Sequence, residues 1–263
     1  MSAITRFTDK TVIVTGGGSG LGRSAALRLA EEGANLVLVD LDAEGLDESK
    51  AEILAAAPEA KIELVTANVT DEEEVKKYVA HTLDTFGTID GFFNNAGIEG
   101  RQNLTEDFGS EEFAKVLAVN LNGVFYGMTH VVKVMREQGH GSIVNTASVG
   151  GITGVGMQSG YAASKHGVVG LTRNSAREYG EHGVRINAIA PGAIMTAMVE
   201  GSLKQIDPDN WEKVGEEFVS VNPMKRFGKP EEVAGLVAFL LSDDAPFINA
   251  AVVPIDGGQS AMY

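Results

Sequence analysis

The chain has 263 residues, 44% hydrophobic and 22% charged, which suits one large globular α/β domain with a substantial core. A net charge of −15 argues against nucleic acid and anionic membrane as partners, and the lack of cysteine excludes disulfides and thiolate chemistry. Residues 1–10 carry no apolar signal segment, and no apolar run approaches the ~20 residues a spanning helix needs, so a soluble, cytoplasmic protein is expected.

Thr11-Val12-Ile13-Val14-Thr15 reads as a buried parallel strand. Gly16-Gly17-Gly18-Ser19-Gly20-Leu21-Gly22 follows at once, and residues 23–32 then carry apolar residues at helical spacing, ended by Gly33. A glycine loop between a strand and a helix places backbone amides and a helix N-terminus where a pyrophosphate fits. Residues 35–39 form the expected second strand, and Asp40 stands at its end, where an acid accepts hydrogen bonds from the adenosine ribose. A helix over 43–57 and a third strand over 61–66 precede Asn68 and Val69. Residues 71–86 form a charged amphipathic helix with an acidic start suited to the helix dipole.

The fourth strand, 89–93, runs into Asn94-Asn95-Ala96-Gly97. One long helix is expected over 111–138, with Asn120 among apolar neighbours, where it must be paired. A fifth strand over 141–147 leads to Ser148, and a helix over 160–181 carries Tyr161 and Lys165 four residues apart, one turn apart on one face. An ammonium beside a phenol favours the phenolate, and a phenol tuned toward neutrality gives or takes a proton at pH 7. Both of these helices are apolar on more than one face, which points to a subunit interface. The sixth strand, 184–190, ends at Pro191-Gly192. Residues 193–222 read as a polar, irregular lid containing Met195, Met198 and Trp211, and a helix over 231–242 and a last strand over 251–255 close the chain. The five His residues form no metal-ligand spacing, and no metal is expected. Strands alternating with helices throughout imply a doubly wound parallel seven-stranded sheet of order 3-2-1-4-5-6-7, forming a single Rossmann-like domain over 1–263.

Together, Thr15 to Gly22, Asn94 to Gly97, Asn120-Leu121-Asn122-Gly123, Ser148, Tyr161 with Lys165, and Pro191-Gly192 with Thr196 resemble the short-chain dehydrogenase/reductase family, in its single-domain branch of about 250 residues. The resemblance implies an NAD(H)-dependent oxidoreductase interconverting a secondary alcohol and a ketone. Several segments, including Pro254 to Ser260, look most like a member acting on a cyclic dione. It implies a catalytic tetrad of Asn120, Ser148, Tyr161 and Lys165, with Asn120 holding a water that serves Lys165. Cofactor contacts are implied at Gly16, Ser19, Gly20, Leu21, Gly22, Asp40, Asn68, Val69, Asn95, Ala96, Gly97, Tyr161, Lys165, Pro191, Gly192, Ile194 and Thr196. It also supplies the number four for a homotetramer. Asn68 stands where the family usually has an Asp that accepts from the adenine amino group; Asn keeps an acceptor oxygen and adds a donor.

The substrate wall is expected at Ser148, Val149, Gly151, Ile152, Gln158, Tyr161, Met195 and Met198, with Ile98 and Glu99 at the mouth. These positions follow strand ends or lie in the lid. Rival readings are a sugar/polyol or 3-oxoacyl reductase of the same family, an epimerase or dehydratase of its extended branch, and a non-enzymatic nucleotide sensor on the same fold.

Overall fold

A computed structural model describes residues 5–220 and 222–262. In chain order the elements are β1 (Thr11–Thr15), α1 (Gly20–Glu31), β2 (Asn35–Asp40), α2 (Ala43–Ala56), β3 (Ile62–Thr66), α3 (Glu72–Phe86) and β4 (Gly91–Asn94). Then come α4 (Ser110–Leu117), α5 (Val124–Gln138), β5 (Gly141–Thr146), α6 (Ser159–Tyr179), β6 (Val184–Pro191), α7 (Ala197–Ile206), α8 (Trp211–Ser220), α9 (Pro230–Leu241) and β7 (Val252–Ile255). All seven strands pair in parallel in the order β3-β2-β1-β4-β5-β6-β7, as the alternation of elements implies.

The strands are near-continuous apolar runs because both sheet faces are covered. Side chains alternate between two cores. Val12, Val14, Leu36, Leu38, Phe93 and Val144 pack with α1, α2 and α9. Ile13, Val37, Phe92 and Ile143 pack on the other face with α3, α5 and α6. Each fully buried side chain of this size contributes roughly 1.5–3 kcal/mol. The crossing from helices on one face to helices on the other falls between β1 and β4, and the cleft opens at the carboxyl ends of the strands there.

Two elements differ from the sequence reading. The expected helix over 111–138 is helical throughout but passes through a π-turn at Ala118–Gly123, between α4 and α5. Such a turn shifts the helix register, and here it brings Asn120 into the interior. The segment expected to be irregular holds α7 and α8. The Thr196 hydroxyl caps α7 by accepting from Val199 N, and α7 buries Leu203 against α8 close to Gly215. Val221, inside the expected lid, lies outside the described residues, as do residues 1–4.

Candidate active site

At Gly16 and Gly22 the glycine loop is shaped by contacts that tolerate no side chain. Gly16 and Gly20 adopt φ of 68° and 51°, the left-handed region where glycine is at ease. A Cβ on Gly22 would lie 1.9 Å from Gly16 O, so α1 starts pressed onto the loop. Asp40 closes the loop from the side: its Oδ2 accepts from Gly18 N at 2.9 Å and its Oδ1 from Asp42 N at 3.1 Å. Arg23 holds the loop from behind. Its guanidinium donates to Gly18 O at 2.5 Å, Gly45 O at 3.2 Å, Ser49 Oγ at 2.8 Å and the Glu48 carboxylate at 2.8 Å.

Asn95 ties three strand ends together. Its backbone N–H donates to Thr15 Oγ1 at 2.9 Å and its Nδ2 to Thr15 O at 3.1 Å, while its Oδ1 accepts from Thr146 Oγ1 at 3.0 Å. Asn120 is fully buried. Its Oδ1 accepts from Ile98 N at 2.8 Å, and its Nδ2 donates to Ile98 O at 2.7 Å and Ser164 Oγ at 3.2 Å. It therefore clamps the loop after β4 to α6. A Cβ on Gly97 would lie 3.1 Å from Asn120 Oδ1 and 3.6 Å from Lys165 Nζ, so the bare backbone there keeps this corner open.

Ser148 follows β5, and its Oγ accepts from Gly150 N at 3.1 Å, leaving its O–H to donate. Tyr161 and Lys165 lie one turn apart on α6. Lys165 is 3% exposed, and its Nζ donates to Thr146 O at 2.7 Å, 5.6 Å from the centre of the Tyr161 ring. Burial pulls the Lys165 ammonium down to about 8. Burial also pushes the Tyr161 phenol up from its ordinary value; Ser148 acts against this, and the Glu99 carboxylate adds to it. The expected pull of the ammonium toward a neutral phenol pKa is not what dominates here. Nζ is turned onto a backbone carbonyl, and burial outweighs it. A phenol that keeps its proton at neutral pH is set to donate it.

These groups line one cleft of about 370 Å³, a size suited to a small-molecule site. Gly16, Ser19, Gly20, Leu21, Asp40, Asn68, Val69, Asn95, Ala96, Gly97, Pro191, Gly192, Ile194 and Thr196 all line it, with Ser148, Tyr161, Lys165 and Met198. Gly22 stands behind the loop and Asn120 behind the wall. The expected substrate wall is corrected in part. Val149 is buried, and the half-buried Ile152 packs against the core that holds α3, α5 and α6; neither lines the cleft. A Cβ on Gly151 would lie 2.7 Å from Lys165 O, so Gly151 faces helix backbone and not a pocket. Met195 pairs through its backbone N–H with Gly228 O at 3.0 Å and does not reach the cleft lining.

Gln158 donates instead to the Glu99 carboxylate, which also accepts from Ser202 Oγ of α7 at 2.7 Å. Gln102 donates to the same serine hydroxyl. Burial raises the Glu99 carboxyl, and the Ser202 and Gln158 bonds act the other way. The sequence reading put Glu99 only at the mouth; nothing in the sequence pairs it with a residue 103 positions later. Leu41, Ala67, Thr146 and Ala147 also line the cleft beyond the expected contact residues, each ending or following a strand, as does Val39 within β2. Val119, Ala197 and Val199 line it from helical segments, which no strand-end rule would find.

A family described as enoyl-(acyl carrier protein) reductase matches residues 16–260. Levodione reductase from Leifsonia aquatica is 64% identical over 262 residues, covering 100% of this chain and 98% of its own. A crystal structure of levodione reductase superposes with a TM-score of 0.97 at 65% identity, covering 98% of this chain and 100% of the other. The chain belongs to the short-chain dehydrogenase/reductase family. Cyclohexanol dehydrogenase from Acinetobacter sp. (strain SE19) is 41% identical over 97% of each chain. A structure of NAD+-bound xylitol dehydrogenase superposes with a TM-score of 0.90 at 35% identity, covering 96% of this chain and 100% of the other. The chain is an oxidoreductase of the alcohol/ketone class, and the cofactor bound in the xylitol dehydrogenase structure is NAD+. The site's own features fit that cofactor: a loop with no room for a Cβ at Gly16 or Gly22, a carboxylate at the end of β2, and a cleft joining both to Tyr161. Among the described residues no helix is long and apolar enough to cross a membrane.

Proposed function

We propose that this enzyme interconverts a ketone and a secondary alcohol on an apolar ring, with Tyr161 as the group that gives and takes the hydroxyl proton. The observation that carries the reading is one continuous cleft, with Asp40 lining one part and Ser148, Tyr161 and Lys165 together lining another. The relatives named for levodione and cyclohexanol turn the ring preference from a class into a substrate proposal.

A bound nicotinamide supplies the hydride to the carbonyl carbon or takes it back. The chain's residues do the rest. The Ser148 O–H, which faces the Tyr161 phenol, donates to the carbonyl oxygen and orients it. Tyr161, protonated at neutral pH, donates its proton as charge develops on that oxygen. Lys165, fixed on Thr146 O, places positive charge beneath the phenol and stabilises the phenolate left behind. Asn120 holds the Ile98 loop against α6 and keeps the Gly97 corner open; the water expected at Asn120 would have to use the second lone pair of its Oδ1. The half-exposed Met198 supplies an adaptable apolar wall. The Glu99–Ser202 bond holds α7 over the mouth as a lid, the role assigned to 193–222.

The same reading has the enzyme working in the cytoplasm, where the NAD(H) pool is, as a homotetramer. Phe113 and Phe125, on α4 and α5, are 37% and 50% exposed and form part of the surface assigned to the interface. NADH oxidation with a panel of cyclic diketones, aryl ketones, sugars and 3-oxoacyl thioesters tests the substrate. The highest kcat/KM should fall on a cyclic ketone, and a sugar or thioester at the top of the panel would replace the proposal.

A further inference from the structure

Asn68 lies just beyond β3 and lines the cleft beside Asp40, Leu41 and Val69. Its Oδ1 accepts from Thr70 N at 3.0 Å and from Thr70 Oγ1 at 2.8 Å. A backbone N–H can only donate, so the atom facing it is the carbonyl oxygen and the orientation of the amide is fixed. A carbonyl oxygen has two lone pairs, and Thr70 takes both. The backbone N–H of Asn68 is also engaged, by the Glu74 carboxylate at 2.6 Å. What remains is Nδ2, with two N–H donors and no partner among the described residues. The acceptor oxygen that the sequence reading offered to the adenine amino group is already spent.

We infer that Asn68 presents a hydrogen-bond donor, and no acceptor, to the base of the dinucleotide, so that the site does not select adenine over a 6-oxopurine. This rests on the cofactor reading above. Adenine carries an amino group at position 6, which can only donate to the amide. Hypoxanthine carries an oxygen there, which accepts from Nδ2. An Asp at this position would keep one oxygen on Thr70 and turn the other, an acceptor, toward the amino group. The Asn therefore reverses the polarity of the contact, while Leu41 and Val69 still offer apolar surface to either ring.

The test is equilibrium binding by calorimetry, with the full chain and two probes, NAD+ and nicotinamide hypoxanthine dinucleotide. The native chain should bind the two within fivefold of each other, or the hypoxanthine form more tightly. Asn68→Asp should shift the ratio of the two Kd values toward NAD+ by at least fivefold, with its melting temperature checked alongside. A native preference for NAD+ of more than fivefold overturns the inference, and this arm needs no variant. A ratio in Asn68→Asp that stays within fivefold of the native one overturns it as well. Binding of neither dinucleotide would overturn the cofactor reading itself.

Discussion

Replacing Asp40 with Ala should collapse the enzyme's preference for NADH over NADPH. The carboxylate stands at the end of β2 with lone pairs left over after accepting from Gly18 N and Asp42 N. A free ribose 2′-hydroxyl can use them. A 2′-phosphate would instead meet a like charge; at about 5 Å and an effective dielectric constant near 20, one such pair costs roughly 3 kcal/mol. Among the described residues no uncommitted cation lines the cleft to offset this. Arg23, behind the loop, is committed to Gly18 O, to Gly45 O of α2, and to Glu48 at 2.8 Å and Glu52 at 3.9 Å. A native preference of at least ~100-fold in kcat/KM follows, which needs only about 2.7 kcal/mol. The variant also strips Gly18 N of its acceptor, so NADH should suffer by roughly 1 kcal/mol, or about fivefold. Asp40→Ala should thus lose on NADH while gaining on NADPH, and adding Leu41→Arg should narrow the ratio further. Steady-state kinetics with both cofactors at fixed ketone decides it. Comparable native kcat/KM for the two, or an unchanged ratio in Asp40→Ala, would refute the reasoning.

Glu99→Gln removes a negative charge that raises the Tyr161 phenol. Alcohol oxidation requires the phenolate, so its pH–rate curve should move to lower pH; a curve that stays in place would show that the charge does not reach Tyr161. Gly151→Ala drives a Cβ to within 2.7 Å of Lys165 O and 2.8 Å of its carbonyl carbon, and the backbone of α6 must yield. It should lower the melting temperature and raise KM for NADH through Lys165, so a variant that changes only ketone preference would restore Gly151 to the pocket wall. In solution the mass should be that of four chains. A monomer by light scattering at micromolar concentration would remove the assignment of the α4, α5 and α6 faces.

The sheet and its order were readable from the sequence because buried parallel strands are continuous apolar runs and the glycine loop marks where the first of them ends. Asp40 and Ser148 were readable for the same reason, since one ends a strand and the other follows one, and Tyr161 was readable from its four-residue spacing to Lys165 on one helix face. Three things were not. The π-turn around Asn120 leaves the apolar periodicity nearly intact, so 111–138 looks like one helix, and the turn follows from the clamp on Ile98. α7 and α8 each bury few apolar residues, and what fixes α7 is the Thr196 cap together with packing of Leu203 near Gly215. Gly151 resembles a pocket residue by position, but its lack of a side chain serves the approach of α6. For Asn120 and Gly151 a contact with another element decides the outcome and local pattern carries no trace of it; for α7 the Thr196 cap is local, and it is the packing of Leu203 near Gly215 that local pattern does not show.

Whether Tyr161 delivers the proton in a cleft that already holds NADH is decided by Tyr161→Phe, with kcat for NADH oxidation on a cyclic ketone and the Kd for NADH measured on the same preparation. The ring and its packing remain, and only the acidic proton is gone. The variant should lose about 10²–10⁴-fold in kcat, with Kd within about threefold of native. A variant that keeps more than about a tenth of the native kcat would contradict that role for Tyr161.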